Sequence, residues 1–506
     1  LAGEYFFPNK KRKRFGRSKN SPKKLFPDVN QAVTTRNNTD TTIAAIATPP
    51  GSGGIGIIRI SGEQALPILK LLFKPNLCQD NLPDFKFNNR RLCYGWIIDP
   101  KSGVLVDEVL AVFMQAPHTY TTEDIVEIQC HGSYLVLQQI LELVFAAGAV
   151  PSFAGEFTKR AFLNGRIDLT RAEAVIDLIE ARTREGLQLA TGQLKGRLHR
   201  QIESIREVLI AIRAIIEVAI DFPGEDLEII NHEDLLLQLH QGVITPLQNL
   251  IAAADQGKIF REGISVVILG KPNVGKSSLL NSLLREERAL VTEIPGTTRD
   301  TIEESINIRG MAVRIIDTAG IRDTTGIVEG MGIQRAQEKL AVAVLALLLF
   351  DSSQPLDSED RELYKRIRGE NRNCPILIVA NKTDLPEENG FSKNIKLLAD
   401  EPLVRISAKT HAGIDLLAET IFKMMTGDAE TFDPKGAIIP NVRHKDAMCK
   451  ALAACEQLAD GLQNNLSPDL LAIELMTALD HIGEIIGETT TEDVLDVIFN
   501  RFCIGK

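Results

Sequence analysis

Ile202, Ile205, Leu209, Ile212 and Ile216 recur at intervals of three and four. That spacing predicts one buried face of a long helix. Asp221-Phe222-Pro223-Gly224 predicts its end, because proline has no N–H to donate and clashes with the preceding turn. Another helical pattern covers 235–254, so 158–260 reads as helical. Ahead of it, strand-like runs at 43–47, 55–60, 109–114 and 125–129 alternate with a helical stretch at 133–147, which makes 40–157 α+β. The texture changes after Gly263. Residues 264–269 form a continuous apolar run that ends in a glycine loop, and similar runs follow at 313–316, 344–350 and 376–380. Runs that are apolar on both faces, with helical segments between them, predict a doubly wound α/β unit with a mostly parallel sheet. From about 430 the pattern is helical to the end. The expected organisation is an α+β domain at 40–157, a helical domain in two parts at 158–260 and 430–506, and an α/β unit at 261–429 inserted into that helical domain. No internal repeat is visible.

Length and composition fit this division. A chain of 506 residues is too long for one core. With 44% hydrophobic and 25% charged residues it reads as folded, not as disordered, collagen-like or disulfide-built. The longest apolar run, 340–350, is closed by Lys339 and Asp351 and is too short to span a bilayer. Seven cysteines without a CxxC pair read as reduced thiols. The net charge of −10 hides an asymmetry: residues 1–40 carry ten Lys/Arg and three Asp/Glu. The acidic remainder does not look like a general nucleic-acid binder. The stretch 1–39, with Lys10-Lys11-Arg12-Lys13-Arg14, has three competing readings: a disordered extension or mis-set start, an organellar transit peptide, or a basic arm for RNA.

Gly270-Lys271-Pro272-Asn273-Val274-Gly275-Lys276-Ser277 fits the phosphate-loop pattern GxxxxGK[ST], with an apolar strand before it and a helical run after it. Its backbone N–H groups and the helix N-terminus suit phosphates. Lys276 is expected to reach the β/γ-phosphates and Ser277 to bind Mg²⁺. Asp317-Thr318-Ala319-Gly320 follows a predicted strand, where an acid can hold the Mg²⁺ shell and the glycine N–H can meet the γ-phosphate. Asn381-Lys382-Thr383-Asp384 also follows a strand; the Asp384 carboxylate can accept guanine N1–H and N2–H₂, which adenine does not offer. Ser407-Ala408-Lys409 fits the loop that closes over the base. These four elements in this order read as a GTPase. The GTP-contacting set is then Asn273, Val274, Gly275, Lys276, Ser277 and Ser278, with the first-switch residues Thr292, Glu293, Ile294, Pro295, Gly296, Thr297 and Thr298, and the three later motifs.

Many GTPases place a water-orienting glutamine just after DxxG, but Ile321 stands here. A partner's arginine finger could replace it, or a bound cation. Asn273 and Gly296-Thr297-Thr298-Arg299-Asp300 suggest the cation: the Asn273 side-chain oxygen and the carbonyls of Thr292 and Ile294 could cage a large monovalent ion, with Thr298 the second Mg²⁺ hydroxyl. Glu329 is a candidate water-positioner; the bland alternative is a solvated loop acid.

Asn273, the Gly296–Asp300 run, the hydrophobic Ile321, Phe502-Cys503-Ile504-Gly505-Lys506 and Gly155-Glu156-Phe157-Thr158-Lys159-Arg160-Ala161-Phe162-Leu163-Asn164-Gly165 together resemble the MnmE (TrmE) family of tRNA-modification GTPases, from about 40 to 506. The resemblance implies an N-terminal tetrahydrofolate-binding and dimerisation domain at 40–157 and a P-loop GTPase domain at 261–429. It implies a homodimer that joins two FAD-containing MnmG subunits in a heterotetramer. That assembly adds a carboxymethylaminomethyl or aminomethyl group to carbon 5 of the wobble uridine, U34, of certain tRNAs. The one-carbon donor is 5-formyl- or 5,10-methylene-tetrahydrofolate. GTP hydrolysis uses K⁺ and joins two G domains face to face. By motif match the K⁺ ligands are Asn273, Thr292, Ile294 and Thr297, the Mg²⁺ ligands Ser277 and Thr298, and the catalytic glutamate Glu329. The folate contacts are Arg59, Glu127, Arg166 and Lys506. Arg166 stands where many members carry lysine, which keeps the charge but changes the geometry. The basic tail has no counterpart in the pattern. A cytoplasmic location is expected, or an organellar one if the tail is a transit peptide.

The rival readings are a ribosome-assembly GTPase, for which no RNA-binding module is visible, and a membrane-remodelling GTPase, for which no lipid-facing segment is visible. Gly51-Ser52-Gly53-Gly54-Ile55-Gly56 satisfies GxGxxG, but Pro49-Pro50 precede it and an extended run follows, so a turn feeding a strand is expected. Cys503 sits as in a prenylation box whose other positions fit poorly; a terminus that is structural and a thiol used in chemistry both stay open. His118 and His131 lack metal-ligand spacing, and Trp96 is expected in the core.

Overall fold

The computed structural model describes residues 41–76, 86–222, 231–286, 304–316, 343–370, 374–388, 391–398, 400–427 and 436–506. The N-terminal region carries strands β1 (Ile43–Ile46), β2 (Gly53–Ser61), β3 (Phe73–Pro75), β4 (Leu92–Ile98), β5 (Leu105–Met114), β6 (Ile125–Gly132) and β7 (Val150–Pro151), with helices α1 (Ala65–Leu72) and α2 (Tyr134–Ala146). The sheet order is β3-β4-β5-β6-β2-β1-β7. Only β1 and β7 pair in parallel. Strand β5 alternates buried and open positions, as expected of a sheet with one covered face. Its inner side chains Val109, Ala111 and Phe113 meet Ile140 and Val144 of α2. The expected strands are all present, but α1, β3, β4 and β7 are additional. Trp96 lies on the open side of β4 and is half-buried, not core; its neighbour Ile97 takes the inner position.

Helices then follow as α3 (Glu156–Leu163), α4 (Leu169–Glu180), α5 (Arg184–Leu194), α6 (Arg197–Asp221), α7 (His232–Leu239) and α8 (Thr245–Glu262), with a π-turn at His240–Ile244 between the last two. Their starts are set by short polar side chains: Asp168 accepts from Arg171 N–H at 3.1 Å and Thr183 from Gly186 N–H at 3.0 Å. Helix α6 ends at Asp221, as the proline predicts. Ile202, Ile205, Leu209, Ile212 and Ile216 are all buried.

The second sheet contains β8 (Ile264–Leu269), β9 (Glu304–Ile308), β10 (Met311–Ile316), β11 (Leu345–Asp351), β12 (Ile376–Asn381) and β13 (Leu403–Arg405) in the order β13-β12-β11-β8-β10-β9. All neighbours are parallel except β9, which returns antiparallel to β10. Strands β11 and β12 are buried at every position, which fits their continuous apolar sequence. Helices α9 (Lys276–Glu286), α10 (Ser358–Glu370), α11 (Phe391–Leu398) and α12 (Ile414–Thr426) accompany them.

The chain ends in α13 (Val442–Gln463), α14 (Pro468–Ile486) and α15 (Glu492–Phe499). One apolar core joins Leu198–Leu250 side chains to Ala447–Ile486 side chains, so segments on either side of the second sheet in sequence pack as one body. Helix α13 opens with a reciprocal cap: Asn441 accepts from His444 N–H, and His444 Nδ1 accepts from Asn441 N–H. The other edge of the His444 ring donates from Nε2 to Glu173 of α4 at 2.6 Å. Arg443 donates to both Glu173 oxygens at 2.9 Å and to the carbonyls of Glu484 and Ile485. Burial opposes ionisation of Glu173, but His444 and Arg443 outweigh it and hold the carboxyl well below its ordinary value.

Candidate functional site

The turn 270–275 runs from the end of β8 into α9. Gly275 (φ +99°) packs so closely that a Cβ would strike Asn381 Nδ2, and Asn273 itself sits at φ +64°. Lys276 opens the helix and folds its ammonium onto its own loop, donating to Gly270 O at 2.8 Å and Lys271 O at 2.7 Å. Burial pushes the Lys276 pKa down. A phosphate would give this half-buried cation the counter-charge that two neutral carbonyls do not. Ser277 is half-buried in the first helical turn. Lys271 is drawn the other way, to Asp357 at 2.6 Å and Asp360 at 3.1 Å, so it is not a second phosphate ligand here.

Asn381 binds the loops together. It is 1% exposed; its Nδ2 donates to Val274 O at 2.8 Å and its Oδ1 accepts from Ala408 N–H at 3.0 Å. The phosphate loop, the strand end carrying Asn381-Lys382-Thr383-Asp384 and the Ser407-Ala408-Lys409 loop thus share one buried amide. Ser282 of α9 adds a bond to Ala408 O at 2.7 Å. Lys382 (φ +67°) pairs with Asp351 at the end of β11, 2.6 Å away. Burial opposes ionisation of Asp351, but Lys382 and Ser353 win and its pKa is lowered. Asp384 is exposed at the rim, where Ser407 Oγ donates to it at 2.7 Å and holds its carboxyl below the usual range. Sequence reading found these loops but missed Asp351 and the bridging role of Asn381. Thr292, Glu293, Ile294, Pro295, Gly296, Thr297, Thr298, Asp317, Thr318, Ala319, Gly320, Ile321 and Glu329 lie outside the described residues.

A second group lies on the open face of the N-terminal sheet. Arg59 and Glu127 are cross-strand partners on β2 and β6, with Arg59 Nε and Nη2 at 2.9 and 2.8 Å from Glu127 Oε1. Arg59 Nη1 reaches Gly505 O at 3.4 Å and its guanidinium lies 5.8 Å from the Phe157 ring centre. The chain terminus is pinned there: Ile504 bridges Ala154, and a Cβ on Gly505 (φ +94°) would strike Ile46 O. Lys506 follows, half-buried. Arg166 is exposed and packs on Tyr120, which shares a small core with Phe157. The glycine turn at 51–54 feeds β2 rather than a helix, as expected. Cys503 is exposed, and His131 pairs with Asp107 at 2.8 Å. Among the described residues no helix is long and apolar enough to cross a membrane.

A mostly parallel sheet with a GxxxxGK[ST] loop bonded to an NKxD strand end defines a class, the phosphate-loop nucleotide-binding proteins. The model of the GTP-binding protein TrmE N-terminus matches residues 42–166, and that of the MnmE helical domain matches 169–503. The tRNA modification GTPase MnmE of Desulfotalea psychrophila is 50% identical over 469 residues, 92% of this chain and 98% of that protein. Its namesake from Natranaerobius thermophilus is 44% identical over 468 residues, 92% of this chain and 100% of that protein. The chain belongs to the MnmE family. A solved structure of elongation factor SelB from Methanococcus maripaludis aligns with 34% of this chain and 35% of its own at 19% identity and a TM-score of 0.26.

Proposed function

We propose that this protein hydrolyses GTP in the service of tRNA wobble-uridine modification. The observation that carries the reading is the Asn381 amide, which locks a phosphate loop and two base-reading loops into one site. The family match favours tRNA modification over ribosome assembly. In this reading 261–429 is a G domain inserted into a helical domain made of 158–260 and 430–506, and 40–157 is the folate-binding and dimerisation domain.

Lys276 turns from its own carbonyls to the β/γ-phosphates, and Ser277 and Thr298 hold Mg²⁺. Asn273, Thr292, Ile294 and Thr297 hold K⁺. Asn273 fits that task, being exposed and without a hydrogen-bond partner among the described residues. Bound there, the cations supply positive charge against the phosphates. Glu329 orients the attacking water.

Arg59, Glu127, Arg166 and Lys506 hold the tetrahydrofolate. A half-buried carboxylate such as Glu127 suits the adjacent N–H donors of a pterin ring, and the cations suit its anionic tail. The homodimer, the FAD-containing MnmG partner and the product at U34 carbon 5 complete the proposal. Wobble-uridine nucleosides from cells lacking this protein should lose the modified species by mass spectrometry; an unchanged profile rejects the reading.

Asp384→Asn should shift preference from GTP to xanthosine triphosphate, because the amide complements xanthine's altered edge. Affinities measured for both nucleotides check this, and an unchanged GTP preference refutes the base-reading role. Arg59→Ala, or removal of Lys506, should weaken folate binding about tenfold while GTP affinity holds. Equal loss of both ligands would point to misfolding.

A further inference from the structure

A cavity of about 580 Å³ opens at the end of the N-terminal sheet, with Arg90, Met114, Pro117, His118, Tyr120 and Arg166 in its lining. Arg166 Nη1 donates to Tyr120 O at 3.1 Å, and its guanidinium lies 4.8 Å from the Tyr120 ring centre. Arg90 donates to the His118 carbonyl. Both guanidiniums are therefore oriented by neutral groups. Among the described residues neither has a carboxylate partner. The acids nearby are engaged elsewhere: Glu123 with Arg160 and Ser61, Asp124 with Ala116 N–H, and Glu127 with Arg59.

The Arg90 backbone is itself unusual. Its φ is +60°, a region that costs a non-glycine residue free energy and persists where contacts hold it. Its N–H donates to Phe113 O at 2.7 Å, beside Met114. Sheet register places the cavity relative to the Arg59–Glu127 pair. Val112 lies opposite Glu127 and Met114 opposite Ile125, two residues further along, or about 7 Å at the usual strand rise. A ligand seated on Arg59 and Glu127 would reach the cavity with a short extension.

Two guanidiniums that have no carboxylate partner among the described residues, above Met114, Pro117 and Tyr120, suit anionic groups spaced by methylenes. We propose that this cavity binds the γ-linked glutamate tail of a polyglutamylated folate, with Arg166 taking the first α-carboxylate and Arg90 a later one. The inference rests on the folate reading above. Each added glutamate contributes one carboxylate and two methylenes, which suits both the charge and the apolar floor. An RNA backbone is the rival polyanion, but a cavity with two guanidiniums in a strongly acidic chain lacks the basic surface that nucleic acid needs.

Calorimetric titration of the full chain with 5-formyl-tetrahydrofolate as the monoglutamate and as the triglutamate tests this. The triglutamate should bind about tenfold tighter. Arg90→Gln should erase that gain and leave monoglutamate affinity in place, while Arg90→Lys should keep part of it. A parent chain that binds both equally, or a gain that survives Arg90→Gln, overturns the tail site and leaves the folate reading standing. Failure of the monoglutamate and the triglutamate alike to bind overturns both. If Arg90→Gln instead lowers tRNA affinity with the triglutamate gain intact, the cavity serves phosphates and the proposal fails.

Discussion

GTP turnover should fall on the order of 10³-fold in Glu329→Ala, and by a comparable factor in the unaltered protein when Na⁺ replaces K⁺. The two losses have different origins. Ile321 offers no polar atom with which to orient water. In the proposed mechanism Glu329 does so instead, and its loss should leave nucleotide binding intact. The cation effect works through charge. Asn273 presents a side-chain oxygen at a left-handed turn of the phosphate loop, where the proposed K⁺ would neutralise charge that builds between β- and γ-phosphates. A cage sized for K⁺ holds the smaller Na⁺ less well. With the proposed ion linking hydrolysis to G-domain pairing, that pairing should weaken with Na⁺ and persist in Glu329→Ala. Steady-state rates in both salts, beside nucleotide affinity and self-association of the G domains, separate the two. Equal rates in K⁺ and Na⁺ would remove the ion from the mechanism, and near-normal turnover by Glu329→Ala would remove the glutamate.

Glu173→Gln should destabilise the helical body by about 3–5 kcal/mol, because it strips the counter-charge from Arg443 while leaving that guanidinium largely enclosed. Thermal unfolding followed by circular dichroism reads the loss. The pH dependence has a definite sign. Glu173 titrates lower folded than unfolded, so its stabilisation is complete above the ordinary carboxylate range and is lost as pH falls through the unfolded value towards the folded one. Burial also pushes the His444 pKa down, with Glu173 opposing. The Asn441 N–H donated to Nδ1 keeps that ring neutral, so protonating it below its ordinary value destabilises further. Asp177 acts oppositely: burial pushes it up to about 6, so between the ordinary aspartate value and about 6 its contribution falls as pH rises. The variant should therefore lose the part of the parent's acid sensitivity that Glu173 supplies and keep the part that His444 supplies, and comparing the two proteins at each pH removes the Asp177 contribution. A parent-like stability would show that the cluster contributes nothing net.

What could be read from the sequence followed the range of the physics involved. The phosphate loop, the Asn381–Asp384 strand end and the long α6 face are local patterns, and all stand where their spacing put them. Strand β4 escaped because Gly95 interrupts an alternation that already carries Tyr94 and Trp96 on its open side. Long-range chemistry escaped for a different reason. Glu173, Arg443 and His444 are ordinary residues of separate helices until packing brings them within hydrogen-bond reach. In the sequence Asn381 reads only as a member of a GTP-contacting motif; the fold shows that its amide also fixes Val274. Arg90 carried no motif at all, and only the cavity and its backbone conformation single it out.

The helical core that joins Leu198–Leu250 to Ala447–Ile486 has a consequence for biosynthesis. While the ribosome is still making the second sheet, α6 has only α7 and α8 to cover its isoleucine face, and the part that α13 and α14 will bury waits in solution. Prior folding of the intervening sheet draws the two ends closer and shortens the effective loop to be closed, which lowers its entropic cost. The order of events is therefore set by the polypeptide's own layout: sheet first, helical closure last, when α13 and α14 emerge. A chain stopped before α13 would keep its sheet but expose the apolar row of α6, making it prey for chaperones, proteases and other nascent chains.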